Sequence, residues 1–104
     1  MADKRTLTDD TLCVHSGTDH PHGALALPLY LSSTYRFANT AEAAALSRGE
    51  VSRYIYSRYE NPTVAEVEHK LAALERGERA FLFAFGSAAT STWCYAFLRS
   101  GDRF

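Results

Sequence analysis

Ten consecutive residues, Tyr54-Ile55-Tyr56-Ser57-Arg58-Tyr59-Glu60-Asn61-Pro62-Thr63, set an aromatic and cationic cluster directly before a helix start. Asn61 suits the cap, because its side-chain oxygen can take a backbone N–H that has no partner inside the helix. Pro62 suits the first helical position, where no N–H is needed. On an extended segment, residues two apart share a side, so the Arg58 guanidinium and the Tyr56 phenol are placed to meet one anion together. A phosphate matches the guanidinium fork best. The same residues also fit a solvent-facing loop with scattered aromatics, since short patterns arise by chance.

A second feature capable of chemistry lies at Gly86-Ser87. Six apolar residues precede it, Ala80-Phe81-Leu82-Phe83-Ala84-Phe85, without alternation, as in a strand covered on both faces of a parallel sheet. A glycine at the end of such a strand lets backbone approach a ligand, and the free N–H groups of the following helix favour a phosphate. A plain strand-to-helix connection would read the same way.

The elements that must position these residues fall into two unequal parts. Residues 1–60, with Pro21, Pro28, Gly17, Gly23 and Gly49, read as an irregular arm carrying one short helix, capped by Thr40 and running from Ala41 to Ser47 before Gly49. Residues 61–104 are more regular. Val64, Val67, Leu71 and Leu74 recur at helical spacing, Glu66 and Lys70 pair four apart on the polar face, and Gly77 is placed to end the helix. A second apolar helix follows through Trp93, Tyr95, Phe97 and Leu98, closed by Ser100-Gly101. The order helix, strand, tight turn, helix is the opening of a layered α/β domain.

Hydrophobic residues make up 46% of the chain and charged ones 22%, as in a globular protein. The net charge of −1 gives no general attraction to nucleic acid or acidic membranes. No apolar run reaches the roughly 18–20 residues that span a bilayer. Met1-Ala2-Asp3-Lys4-Arg5 leads into polar residues and not into an apolar core, so it does not read as a secretory signal, and a cytoplasmic location is expected. Cys13 and Cys94 stand far apart and outside any CxxC pair, so neither a disulfide nor a zinc site is expected, and Cys94 reads as a buried free thiol. His15, His20 and His22 have no thiol or carboxylate at ligand spacing, and His69 falls on a solvated helix face.

Tyr56-Ser57-Arg58 followed by Asn61-Pro62-Thr63, the helix Val64-Ala65-Glu66-Val67-Glu68, Leu71-Ala72-Ala73-Leu74-Glu75, and then the apolar strand and small-residue turn resemble the Cys/Met-metabolism family of pyridoxal-phosphate enzymes. The resemblance begins near Thr11-Leu12-Cys13-Val14-His15-Ser16-Gly17 and passes through Pro28-Leu29-Tyr30 and Ser33-Thr34-Tyr35 to Gly101-Asp102. The family contains cystathionine synthases and lyases, methionine lyase and homoserine-ester sulfhydrylases. It implies an α/β fold: residues 1–60 form the N-terminal arm, and residues 61–104 begin the large domain of a fold-type-I, aminotransferase-like enzyme. Pyridoxal 5′-phosphate is the implied cofactor, an amino acid the implied substrate, and self-association into dimers or tetramers with shared active sites the implied assembly.

By resemblance, Tyr56 and Arg58 reach across a subunit interface to the neighbouring chain's cofactor phosphate, while the backbone amides of Gly86 and Ser87 hold the phosphate of their own chain. The family's turn reads Ser-Gly-Met or Ser-Gly-Leu. Here Phe85 and Ser87 flank the glycine, which leaves the backbone role intact and changes the packing around it.

Pyridoxal chemistry needs a lysine amine to anchor the cofactor and a carboxylate at its ring nitrogen. Lys4 lies in the tail and Lys70 on the outer face of a helix, so neither matches the family's lysine, and no catalytic residue is expected among these 104. Family members look several times longer. The chain therefore reads as the N-terminal part of an enzyme of β/γ-elimination or γ-replacement. The alternative is a non-catalytic remnant, or a fragment that depends on association with complementary sequence.

Overall fold

The computed structural model describes residues 7–15 and 20–103. Lys4, Ser16 and Gly17, the charged start at residues 1–5, and Phe104 lie outside them.

Helix α1, Asp9–His15, has no counterpart among the elements expected from the sequence. Thr8 starts it, its carbonyl accepting the Leu12 N–H at 3.0 Å and its hydroxyl accepting the Thr11 N–H at 3.4 Å. The seven-residue helix is too short to persist by propensity alone. It is held by packing on a later helix, with Leu12 fully buried. A three-residue 3-10 turn, Pro21–Gly23, follows.

Helix α2, Thr40–Ser47, corrects the expected start by one residue: Asn39 is the cap, its side chain accepting the Glu42 N–H at 2.9 Å. Glu42 in turn accepts the N–H of Ala38, the residue before the cap, at 2.6 Å, so a second donor ahead of the helix is satisfied. At the other end Gly49 sits at φ +74°, where glycine carries no Cβ penalty, and Glu50 N–H closes onto the Ala45 carbonyl. Arg53 fastens α2 to the arm. It pairs with Glu42, donates to the Arg36 carbonyl at 2.8 Å, and lies 5.0 Å from the Phe37 ring centroid.

Helix α3, Pro62–Leu74, is the frame of the molecule, with Asn61 as cap and Pro62 at its first turn, as expected. Its exit differs from the expectation. Arg76, not Gly77, takes the left-handed conformation, at φ +54°, and Gly77 follows with its N–H on the Ala72 carbonyl at 2.9 Å. Helix α1 lies against α3. Arg76 donates to Asp9 at 2.6 Å and Lys70 Nζ to the Cys13 carbonyl at 3.2 Å, so Lys70 is tied to α1 instead of standing free on an outer face. Glu66, expected on the solvated face, is buried. His69 is exposed, as expected.

Of the α/β expectation, the described residues show the helices and not the strand at residues 80–85. They contain no strand, only an isolated antiparallel bridge between Thr34 and Tyr56. Residues 80–85 form no ladder. A strand needs a neighbour for its backbone groups, and here the Leu82 N–H goes to the Glu68 carboxylate at 2.8 Å instead. The consequence reaches α3: Val64, Val67 and Leu71, the expected core stripe, remain 37–40% exposed because no sheet covers them. Helix α4, Gly86–Phe97, carries Trp93 against Phe97, ring centroids 5.9 Å apart, and leaves Tyr95 90% exposed. Cys94 is half-buried rather than buried, and both Cys13 and Cys94 are free.

Candidate anion-binding site

The arm returns on itself between residues 30–36 and 53–57. Tyr35 N–H donates to the Ile55 carbonyl at 3.1 Å and Ser57 N–H to the Ser33 carbonyl at 2.8 Å, on either side of the Thr34–Tyr56 bridge. The chain then leaves the extended conformation. Tyr59 and Glu60 both give their N–H to the Tyr56 carbonyl, at 2.9 and 3.2 Å, so Arg58 sits in a turn.

Tyr56 and Arg58 do come together, but by a different geometry from the extended one expected. The guanidinium carbon lies 5.1 Å from the Tyr56 ring centroid and 5.8 Å from that of Tyr59, and the two rings meet edge to face at 6.1 Å. Two aromatic rings thus hold the cation without consuming its N–H donors. Among the described residues no carboxylate pairs with Arg58. Tyr59 is a contributor that sequence reasoning misses, because it lies between Arg58 and Asn61 and outside the residues singled out there. An aromatic three residues after another, flanking an arginine, is the signal that could have found it.

A cleft of about 440 Å³ opens beside Arg58, with Asn61, Val64, Glu68 and Phe83 in its walls. Tyr54 packs beside Tyr35 in the folded-back arm, ring centroids 5.9 Å apart. Burial foremost, and then the charge of Glu60, push its phenol above the ordinary tyrosine range, with Tyr35, Tyr30 and Glu66 adding in the same direction.

Gly86 and Ser87 open α4. The cap residue Phe85 has no side chain able to accept a hydrogen bond; its carbonyl takes the Ala88 N–H at 3.1 Å, and the Gly86 and Ser87 N–H groups are left for another acceptor. A Cβ placed on Gly86 would meet nothing within 4 Å, so there is open space over this turn. Both clusters therefore fit a phosphate, one through a guanidinium and a phenol, the other through backbone donors. Gly86 and Ser87 are not in the walls of the Arg58 cleft. Among the described residues no group of three or more His, Cys, Asp or Glu side chains could hold a metal ion.

The fold superposes on the metB protein of Corynebacterium glutamicum with a TM-score of 0.80 at 29% identity, over 97% of this chain and 25% of that one. The sequence is 42% identical over 94 residues to the O-succinylhomoserine sulfhydrylase of Pseudomonas aeruginosa, covering 89% of this chain and 23% of that one. It is 38% identical over 93 residues to the L-methionine gamma-lyase of Fusobacterium nucleatum subsp. polymorphum, covering 88% and 24%. Residues 10–104 match the model of the Cys/Met metabolism PLP-dependent enzymes, and the chain belongs to that family. It spans about a quarter of the length of the curated relatives it matches. The family's cofactor is pyridoxal phosphate. Among the described residues no helix is long and apolar enough to cross a membrane.

Proposed function

We propose that these residues form the N-terminal quarter of a cytoplasmic pyridoxal-phosphate enzyme of sulfur amino-acid metabolism, catalysing β- or γ-elimination or γ-replacement on an amino-acid substrate. Residues 1–60 are its arm. Residues 61–104 begin its fold-type-I cofactor domain, in which residues 80–85 become a covered strand once neighbouring strands are present. The observation that carries the reading is the Arg58 guanidinium, held against the Tyr56 and Tyr59 rings with its donors unspent, in a chain of this family.

When bound, pyridoxal phosphate supplies an electron sink for charge developing at the substrate's α-carbon. The part these residues play is to hold its phosphate. Arg58 would hold it through its guanidinium N–H groups and Tyr56 through its phenol O–H, and the Gly86 and Ser87 amides at the start of α4 would supply backbone donors. In this reading, as the family resemblance implies, the two sets serve different phosphates: Gly86 and Ser87 that of their own chain, Tyr56 and Arg58 that of a neighbour. Each site is then built from two chains of a homo-oligomer. The isolated 104 residues are an association-dependent piece, a reading favoured by a core in which only Leu12 and Ala65 are buried apolar residues among those described.

A chimaera tests this: the present 104 residues replace the aligned segment of the Pseudomonas aeruginosa sulfhydrylase. The expected result is a dimer or larger assembly that takes up pyridoxal phosphate. An assembled chimaera that takes up none would contradict the reading.

A further inference from the structure

The hydrogen bonds around Asn61 exceed what a helix cap needs. Its Oδ1 accepts the Thr63 N–H at 2.9 Å, and that alone caps α3. Its amide nitrogen, in a residue only 8% exposed, faces three acceptors: the Ser57 hydroxyl at 2.8 Å, the Tyr30 carbonyl at 3.0 Å and the Tyr35 hydroxyl at 3.2 Å. The nitrogen has two hydrogens, so the two shorter bonds use them and the Tyr35 hydroxyl shares one. Ser57 passes the chain of bonds on, its hydroxyl donating to the Ser32 carbonyl. Thr63 closes the ring from the other side, its hydroxyl accepting the Tyr30 N–H at 2.9 Å. The side chain of Asn61 thus joins three stretches: residues 30–35 of the arm, the turn that bears Tyr56 and Arg58, and the first turn of α3.

We propose that Asn61 is a positioning residue for the anion-binding pair, its amide N–H groups acting with Ser57 as a latch that fixes Tyr56 and Arg58 in the pose that meets a cofactor phosphate. The inference rests on the function proposed above for Arg58. Without the latch, Ser57 loses its side-chain tie to α3 and the Arg58 turn samples poses outside the phosphate's reach, so part of the binding free energy goes into ordering it. The cap itself is a separable duty. An aspartate at this position accepts the Thr63 N–H as well as asparagine does, but has no N–H to give to Ser57 or Tyr30.

The test uses the chimaeric holoenzyme and two probes, pyridoxal 5′-phosphate and pyridoxal, which differ only in the phosphate. Asn61→Asp is expected to weaken pyridoxal phosphate by about tenfold or more while changing pyridoxal by less than about twofold, as follows when a charge-assisted hydrogen bond is misplaced. Ser57→Ala, which leaves the cap untouched, is expected to act in the same direction even if Asn61→Asp folds poorly. Equal losses for both probes would make the latch a general structural tie and overturn the inference. So would unchanged phosphate binding in both variants alongside a large loss in Arg58→Ala. If Arg58→Ala itself binds pyridoxal phosphate as the parent does, the proposed role of Arg58 fails first.

Discussion

Arg58 and Lys70 are both cations near α3, and their surroundings set them apart. Arg58 lies against a pair of touching aromatic rings and has no anionic partner among the described residues, whereas Lys70 is spent on the Cys13 carbonyl. In the assembled enzyme, Arg58→Ala is expected to weaken cofactor retention by about 1.5–3 kcal/mol, the range for charge-assisted hydrogen bonds, and Lys70→Ala to leave it nearly unchanged while loosening α1. Dialysis against cofactor-free buffer, followed by absorbance, reads the difference; equal retention in the two variants would contradict the assignment. Tyr54 offers a second measurement. Its raised pKa, caused first by burial and then by Glu60, means that the folded state holds the phenol proton more tightly than the unfolded one. That contribution is complete below the ordinary tyrosine pKa of about 10 and is lost as pH rises through the folded value. Tyr54 is therefore expected to ionise after the exposed tyrosines in a phenolate absorbance titration, and Tyr54→Phe to remove that late step. A titration in which Tyr54 ionises with the others would count against its burial.

At the scale of elements, the exit of α3 makes a prediction that runs against helix propensity. Arg76 occupies a left-handed position usually filled by glycine, at a cost of about 1–2 kcal/mol, and recovers part of it by bonding Asp9 and the Ala73 carbonyl. Arg76→Ala loses those bonds and keeps the backbone cost, while Arg76→Gly loses the bonds and the cost together. Amide hydrogen exchange in the last turn of α3 should be faster in Arg76→Ala than in Arg76→Gly; the reverse order would contradict the backbone assignment. The Asn61-Pro62 start of α3 is legible from residue types, because a cap and a first-turn proline are local chemistry. The shift of the left-handed residue from Gly77 to Arg76 is not, since it depends on the Asp9 side chain of a helix 67 positions away. Helix α1 is hidden for the same reason: seven residues carry too little periodicity, and its stability lies in its packing on α3. The apolar run at 80–85 has the composition of a strand, yet a strand exists only with a partner, and here the Glu68 carboxylate is what receives the Leu82 N–H. In the site, residue types point to Tyr56 and Arg58, but the stacking of Tyr59 and the reach of Asn61 to Tyr30 depend on how the arm folds back.

The whole molecule is extended and poorly filled. Its radius of gyration is 17.2 Å, against about 13 Å for a compact domain of this length, and Phe81, Phe85 and Phe97 are all 65–71% exposed. The isolated chain is accordingly expected to self-associate and to melt without a sharp transition; sedimentation and circular dichroism check this, and a monomer with a cooperative melt would contradict it. That much apolar surface, together with an arm that carries an unspent arginine, is what a chain built to interlock with others would show. The most direct test of the shared site is complementation between two inactive forms of the chimaeric enzyme. One carries Arg58→Ala, and the other lacks the lysine that anchors the cofactor, which the sulfhydrylase portion supplies. If Arg58 serves the neighbour, a mixed dimer contains one site with both an intact lysine and an intact arginine, and a purified mixed dimer is expected to recover a substantial part of the activity of one site. No recovered activity in a verified mixed dimer would show that Arg58 acts within its own chain or not at all.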